Sequence, residues 1–284
     1  LSLPLSHWHG LVMGVAGAIH QGNTVYLHER FDAAATVEAL KSGDVTLFMH
    51  VPIAYFKLVE FAGNQKIDIS GVRLCVSGSS YLPPTIWHGF EKAYGQQILE
   101  RYGSSETGLI ASNTLEVRHP GVVGRVLPGV DVRVERDGQL AMRSPGRFLG
   151  YSRNPEATEK NFTKDGLWLT GDIGEFNGGE LSLKGRIQEK IKKLGYTVFP
   201  RDVEWALMQD TSVYDVVVIG LQVPDSLSDM MVYFVVSDLS EQEILEYCKK
   251  NLPGAWRPDR IIKLAEMPKT RSGKPKLRDL RSMI

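Results

Sequence analysis

Residues 99–108 read Leu-Glu-Arg-Tyr-Gly-Ser-Ser-Glu-Thr-Gly, so an aromatic, two glycines, two serines and a turn carboxylate share one short stretch. The apolar run Gln97-Ile98-Leu99 before it predicts a short buried strand, with Tyr102 to Thr107 as the turn leaving that strand. In α/β sheets, ligands collect outside the carboxyl ends of strands, and glycine lets a backbone approach them closely. Tyr102 offers a face for a flat ring, Ser104 and Ser105 offer hydroxyls to phosphate oxygens, and Glu106 offers a carboxylate to a hard cation such as Mg²⁺. A plain polar surface turn uses the same residue types.

Strands and helices alternate outward from this stretch. Arg73 to Ser77 is a β-rich run ending in Gly78-Ser79-Ser80, and Pro83-Pro84 then opens a helix through Tyr94. Val45 to Met49 reads as a strand, and Val51-Pro52 opens a helix through Glu60 that carries Lys57. Leu11 to Ile19 reads as a buried helix, Thr24 to Leu27 as a strand and Thr36 to Leu40 as an amphipathic helix. Val130 to Glu135 and Gln139 to Arg143 alternate around Asp137-Gly138, a hairpin signal. This rhythm argues for a layered α/β domain. Beyond residue 200, helices Pro200 to Met208 and Glu241 to Asn251 alternate with strands at Val213 to Gly220, Met231 to Val236 and Arg260 to Leu264. They predict a second, small α+β domain.

Composition narrows the class. The 284 residues are 43% hydrophobic and 23% charged, as in a globular protein. Lys+Arg and Asp+Glu balance at 33 each, so no bulk charge points to nucleic acid or an acidic membrane surface. Cys75 and Cys248 sit in apolar or helical patterns and read as reduced packing residues, which suits a cytoplasmic protein. No apolar run reaches membrane-spanning length.

Tyr102-Gly103-Ser104-Ser105-Glu106-Thr107 resembles the YGxTE motif of the adenylate-forming enzymes, namely acyl-CoA synthetases, luciferases and peptide-synthetase adenylation domains. Four further stretches resemble motifs of that family in the same order: Pro4-Leu5-Ser6-His7, Leu169-Thr170-Gly171-Asp172, Gly185-Arg186 through Pro200, and Pro268-Lys269-Thr270 through Lys274. The resemblance implies the later half of a large α/β adenylation domain over 1–185 and a small mobile C-terminal domain over 186–284. It implies ATP, Mg²⁺ and coenzyme A as the small molecules handled with a carboxylic acid.

The same resemblance assigns roles. His7 would lie at the carboxylate end of an acyl pocket with Gly78 and Gly108, and Ser79 and Ser80 would lie under the adenine. Tyr102, Gly103 and Ser105 would line the nucleotide, Glu106 would hold Mg²⁺, Asp172 would take the ribose hydroxyls, and Arg186 would reach ribose or phosphate. Gln188 stands at the hinge, where most relatives have Asp or Lys. Lys192, Gly195 and Tyr196 would border the pantetheine arm of CoA, and Lys274 would be the catalytic lysine. The closest-looking relatives are malonyl-CoA synthetases, which suggests a short or dicarboxylic acid facing Lys57. The Gly/Ser/Thr-rich phosphate loop that the family carries upstream has no counterpart here. The expectation is therefore a fragment whose remainder is cleaved off, left out, or supplied by a separate N-terminal polypeptide. A non-catalytic nucleotide- or CoA-binding remnant and an adenylation domain loading a carrier-protein thiol are the alternatives.

Overall fold

The computed structural model describes residues 1–210, 212–224, 226–270 and 274–284. The chain divides into two compact units. One comprises Leu1–Thr170 and Glu175–Leu183; the other comprises Gly171–Gly174, Lys184–Thr270 and Lys274–Ile284.

In the first unit, His9–Ala16 winds as a wide π-helix that runs into α1 (Gly17–His20). Then come α2 (Ala33–Lys41), β1 (Leu47–His50), α3 (Pro52–Ala62), β2 (Leu74–Ser77), α4 (Pro84–Tyr94) and β3 (Ile98–Ser104). Proline occupies the first turn of α3 and of α4, where its missing N–H is harmless. β1, β2 and β3 pair in parallel. α2, α3 and α4 cover one face of these strands, with Tyr55, Leu58, Phe90 and Trp87 in the core. Buried polar tips find backbone partners. Trp87 Nε1 donates to Ile98 O at 2.9 Å, Tyr55 Oη to Val76 O at 2.8 Å, and Tyr94 Oη to Leu58 O at 2.6 Å.

β3 then turns back antiparallel into β4 (Gly108–Ser112), and β5 (Val122–Val126), β6 (Asp131–Val134) and β7 (Gln139–Arg143) follow. After α5 (Pro155–Glu159) come β8 (Trp168–Asn177) and β9 (Glu180–Arg186). The sheet runs β1-β2-β3-β4-β5-β9-β8-β7-β6, parallel at one end, with antiparallel pairing from β3 onward in β3–β4, β4–β5 and β6–β7. The hairpin around Asp137-Gly138 forms as the sequence predicts.

Three local expectations are corrected. Tyr102 is not in a turn: β3 runs to Ser104, the turn is only Ser105-Glu106-Thr107, and Tyr102 is a buried core residue beside Ile110 and Val123. The Leu11–Ile19 helix is not buried through its large residues. It buries His9, Gly10 and Gly14 while Leu11 and Ile19 are exposed. A Cβ at Gly10 would stand 2.5 Å from Pro4 O, so the small face is the one that packs. Thr24 to Leu27 forms no strand. Among the described residues, the backbone hydrogen bonds of 24–28 are Leu1 N to Tyr26 O and His28 N to Leu1 O, too few for a ladder.

The second unit holds the hairpin β10 (Ile191–Lys193) and β11 (Tyr196–Val198), α6 (Pro200–Leu207), β12 (Val213–Leu221), β13 (Met230–Ser237), α7 (Glu241–Asn251), β14 (Arg260–Lys263) and α8 (Leu277–Arg281). Residues of β13 alternate between two cores: Met231, Tyr233 and Val235 face one, Val232 and Phe234 the other. This period of two, apolar on both faces, is that of a strand covered on both sides. Ser240 closes α7 with a capping box to Glu243.

Two glycines with positive φ separate conformation from contact. Gly124 has φ +95°, and a Cβ there would lie 2.1 Å from Ser112 O; Gly178 has φ +60° with nothing within 4 Å. Gly178→Ala should lower stability by ~1–2 kcal/mol, and Gly124→Ala by clearly more, because backbone must also move. Urea denaturation of the two variants checks the difference.

Candidate active site

In the first unit, candidate side chains gather near the carboxyl ends of β2 and β3. After β2 the chain passes through Gly78 and Ser79, the latter at φ +71°, which is uncommon for a residue with a side chain. His9, not His7, packs against this turn. His9 Nδ1 shares a hydrogen bond with Ser79 Oγ at 2.9 Å, and a Cβ on Gly78 would meet His9 Cε1 at 3.3 Å. His7 instead lies just ahead of the π-helix and braces its start: its Nδ1 accepts the His9 N–H at 3.2 Å and its carbonyl accepts the Leu11 N–H at 3.0 Å. Ser80 is exposed.

Both buried histidines are held neutral. Burial, then His7 and Arg101, pushes His9 down to about 4. Burial above all, with His9 adding to it, pushes His50 down to about 3. The Val51 N–H donates to His50 Nδ1 at 2.9 Å, so the proton resides on Nε2, 2.8 Å from Ser2 Oγ.

The 104–108 turn is bound up in itself. Ser104 Oγ accepts the Glu106 N–H at 3.2 Å and meets Thr107 Oγ1 at 3.1 Å, while Ser105 is exposed. Glu106 is half-buried, and its Oε1 accepts from Tyr151 Oη at 2.9 Å. The glycines have a structural reason that the sequence did not show. A Cβ on Gly103 would lie 2.2 Å from Gly108 O, and one on Gly108, at φ +70°, would lie 3.2 Å from Gly146 O. What approaches these glycines closely is other backbone.

Arg101 is the residue that sequence reasoning missed. It is half-buried on β3, its Nε is shielded from solvent without a hydrogen-bond partner among the described residues, and burial lowers its pKa. Ser77 Oγ, at the end of the neighbouring β2, is likewise buried and unpartnered. Arg101 lies inside the quoted stretch, but strand alternation alone does not say which of its charges turns inward. Lys57, by contrast, lies exposed on α3, and no hydrogen bond or ion pair among the described residues ties it to His9, Ser79 or Arg101.

In the second unit, Asp172 is buried and pairs with Arg186 Nε at 3.1 Å. Gln188 is exposed within a short 3₁₀ turn, Ile187–Glu189. The hairpin tip has Leu194 at φ +51° and Gly195 at φ +81°, and it exposes Lys192 and Tyr196. Its base is clamped: Lys193 Nζ lies 2.5 Å from Asp259 Oδ2, and Lys192 N donates to Asp229 Oδ2 at 2.7 Å. Lys274 is exposed. Its carbonyl accepts the Thr270 N–H at 2.8 Å, and Lys269 pairs with Asp215 at 2.5 Å. Arg271, Ser272 and Gly273 of the same motif lie outside the described residues.

Among the described residues, no three His, Cys, Asp or Glu side chains converge as a metal cage, and no helix is long and apolar enough to cross a membrane.

These features define a layered α/β unit followed by a small α+β unit. Residues 1–152 match the AMP-binding enzyme family and residues 202–274 its C-terminal domain, so the chain belongs to the AMP-binding enzymes. It is 32% identical to the mitochondrial malonate–CoA ligase of Homo sapiens over 324 aligned positions, covering 96% of this chain and 56% of the relative. It is also 32% identical to an oxalate–CoA ligase of Arabidopsis thaliana, covering 96% and 57%. Its fold resembles ATP-bound MatB from Rhodopseudomonas palustris with a TM-score of 0.92 at 28% identity, over 99% of this chain and 59% of that one. The chain thus spans rather more than half the length of the relatives it matches.

The buried histidines make stability depend on pH. Their folded pKa values, about 4 and about 3, lie below the unfolded value near 6.5, so acid favours the unfolded chain. The contribution of these two histidines should be full above about pH 6.5 and fall as pH drops toward the folded values, with a slope of up to ~1.4 kcal/mol per pH unit per histidine. Urea unfolding at pH 7, 6 and 5 checks this, and His9→Asn with His50→Gln should flatten the slope.

Proposed function

We propose that this chain forms the later part of an ATP-dependent acid–CoA ligase that activates a short dicarboxylic acid. The observation that carries the substrate class is Arg101: a half-buried guanidinium whose Nε lacks a partner, beside the His9–Ser79 pair. Buried polar groups are normally satisfied, and a guanidinium fork suits a carboxylate in two-point contact. A second carboxylate on the substrate would complete this pair. The malonate and oxalate ligases among the relatives support the same class.

In the first half-reaction, a substrate carboxylate oxygen attacks the α-phosphorus of ATP and pyrophosphate leaves. Lys274 would stabilise the negative charge that develops between the two anions, and Asp172 would take the ribose hydroxyls, with Arg186 beside it. Glu106 fits a nucleotide-borne Mg²⁺. Its carboxylate, held by one hydrogen bond at Oε1, would be offered to the ion, with phosphates and water supplying the remaining ligands. When bound, the ion neutralises phosphate charge. In the second half, the CoA thiol sulfur attacks the acyl carbon, loses its proton and displaces AMP. Gly195, without a side chain, would let the pantetheine arm pass, flanked by Lys192 and Tyr196, after rotation about Gln188.

Two outcomes are expected with the complete protein. Lys274→Ala should lower adenylate formation by ~10²–10³, the cost of one preorganised contact of ~3–4 kcal/mol, while sparing thioester formation from supplied acyl-adenylate. Arg101→Gln should raise KM for malonate and oxalate far more than for propionate in an AMP-release assay. A preference of the unsubstituted enzyme for octanoate or benzoate would overturn the dicarboxylate assignment.

A further inference from the structure

We propose that Tyr151 is a positioning residue for Glu106, fixing the carboxylate in the orientation in which it takes a nucleotide-borne Mg²⁺; this rests on the role given to Glu106 above. The segment 148–151 grips Glu106 twice. The Phe148 N–H donates to the Glu106 carbonyl at 2.8 Å, and Tyr151 Oη donates to Oε1 at 2.9 Å.

Tyr151 is itself held. Its N–H donates to Thr158 Oγ1 at 2.9 Å. Its ring meets Phe148 edge-on at 5.0 Å and Trp168 at 6.0 Å, and Phe148 meets Trp168 at 4.9 Å. Gly150, at φ +151°, sits against Thr158, where a Cβ would come within 3.0 Å. A flexible glutamate side chain is thus pinned by a rigid aromatic anchored in the same unit.

Tyr151 is 39% exposed, so water could satisfy its hydroxyl. The bond to Glu106 is therefore not required to relieve a buried donor, and its effect falls on the carboxylate. Carboxylates that bind metal are commonly hydrogen-bonded in turn, and losing that partner typically weakens metal affinity ~10–100-fold.

The test is ATP binding by calorimetry at increasing Mg²⁺ and in EDTA, for the unsubstituted protein, Tyr151→Phe, Glu106→Gln and the double variant. Tyr151→Phe should raise the half-saturating Mg²⁺ concentration by ~10–100-fold with ATP affinity in EDTA and Tm unchanged. It should add nothing on top of Glu106→Gln. Unchanged Mg²⁺ dependence in a Tyr151→Phe variant that binds ATP overturns the proposal and leaves the ligase reading intact. Equal weakening with and without Mg²⁺ reduces Tyr151 to a structural role and also overturns it. If the unsubstituted protein shows no Mg²⁺-dependent ATP binding, both the proposal and the role of Glu106 fall.

Discussion

The close backbone crossing at the end of β3 is the constraint on which the first unit depends. β3 pairs in parallel with β2 on one edge and antiparallel with β4 on the other. The change of direction happens within three residues, Ser105 to Thr107, and the strands that flank this turn meet at Gly103 and Gly108. Only glycine allows that approach, since a methyl group at Gly103 would overlap the Gly108 carbonyl. The register shift beside Gly103 is the local mark of this tight fit. Everything the turn presents, including Glu106, inherits its position from that crossing. Its hydroxyls are used to close the turn, with Ser104 and Thr107 bonded to each other, which leaves Ser105 facing outward.

Around the turn, the fold tolerates polar groups where a core would exclude them. Ser77 Oγ and Arg101 Nε are buried without partners, and His9 and His50 are kept neutral against their ordinary tendency. Each carries a desolvation cost. Concentrating such costs on three adjacent parallel strands, at the carboxyl ends of β1 and β2 and midway along β3, is the pattern of a ligand crevice. The opposite balance holds in the layer beneath, where the hydroxyls of Tyr55 and Tyr94 and the Trp87 indole N–H all find backbone carbonyls.

The second unit is organised by β13, whose alternate residues serve two cores. Its loops are anchored by charge. Lys193, almost wholly buried, is matched by Asp259, which also accepts the Met231 N–H at 2.6 Å, so one carboxylate joins the hairpin to the sheet. The Lys269–Asp215 pair does the same for the chain entering the lysine motif. The hairpin tip itself, with Leu194 and Gly195 both at positive φ, is left exposed on that firm base.

Sequence by itself determined the elements whose signals are local. Prolines marked the starts of α3, α4 and α6; Asp137-Gly138 marked a hairpin; Glu241 and Glu243 early with Lys249 and Lys250 late marked α7, to which the structure adds its Ser240–Glu243 cap. The ordered motifs also gave the family, because residue type and spacing survive without knowledge of contacts. Tertiary structure decided what depends on who stands opposite. Tyr102 became core because β4 continues the sheet and extends β3 past it. The π-helix turned its glycines inward because only they let the backbone reach residues 1–4, and its large aliphatic residues face out as a result. His9 rather than His7 met the Gly78–Ser79 turn, and Arg101 rather than Lys57 turned inward. A periodic pattern says that two faces differ, but partners distant in sequence decide which face is covered.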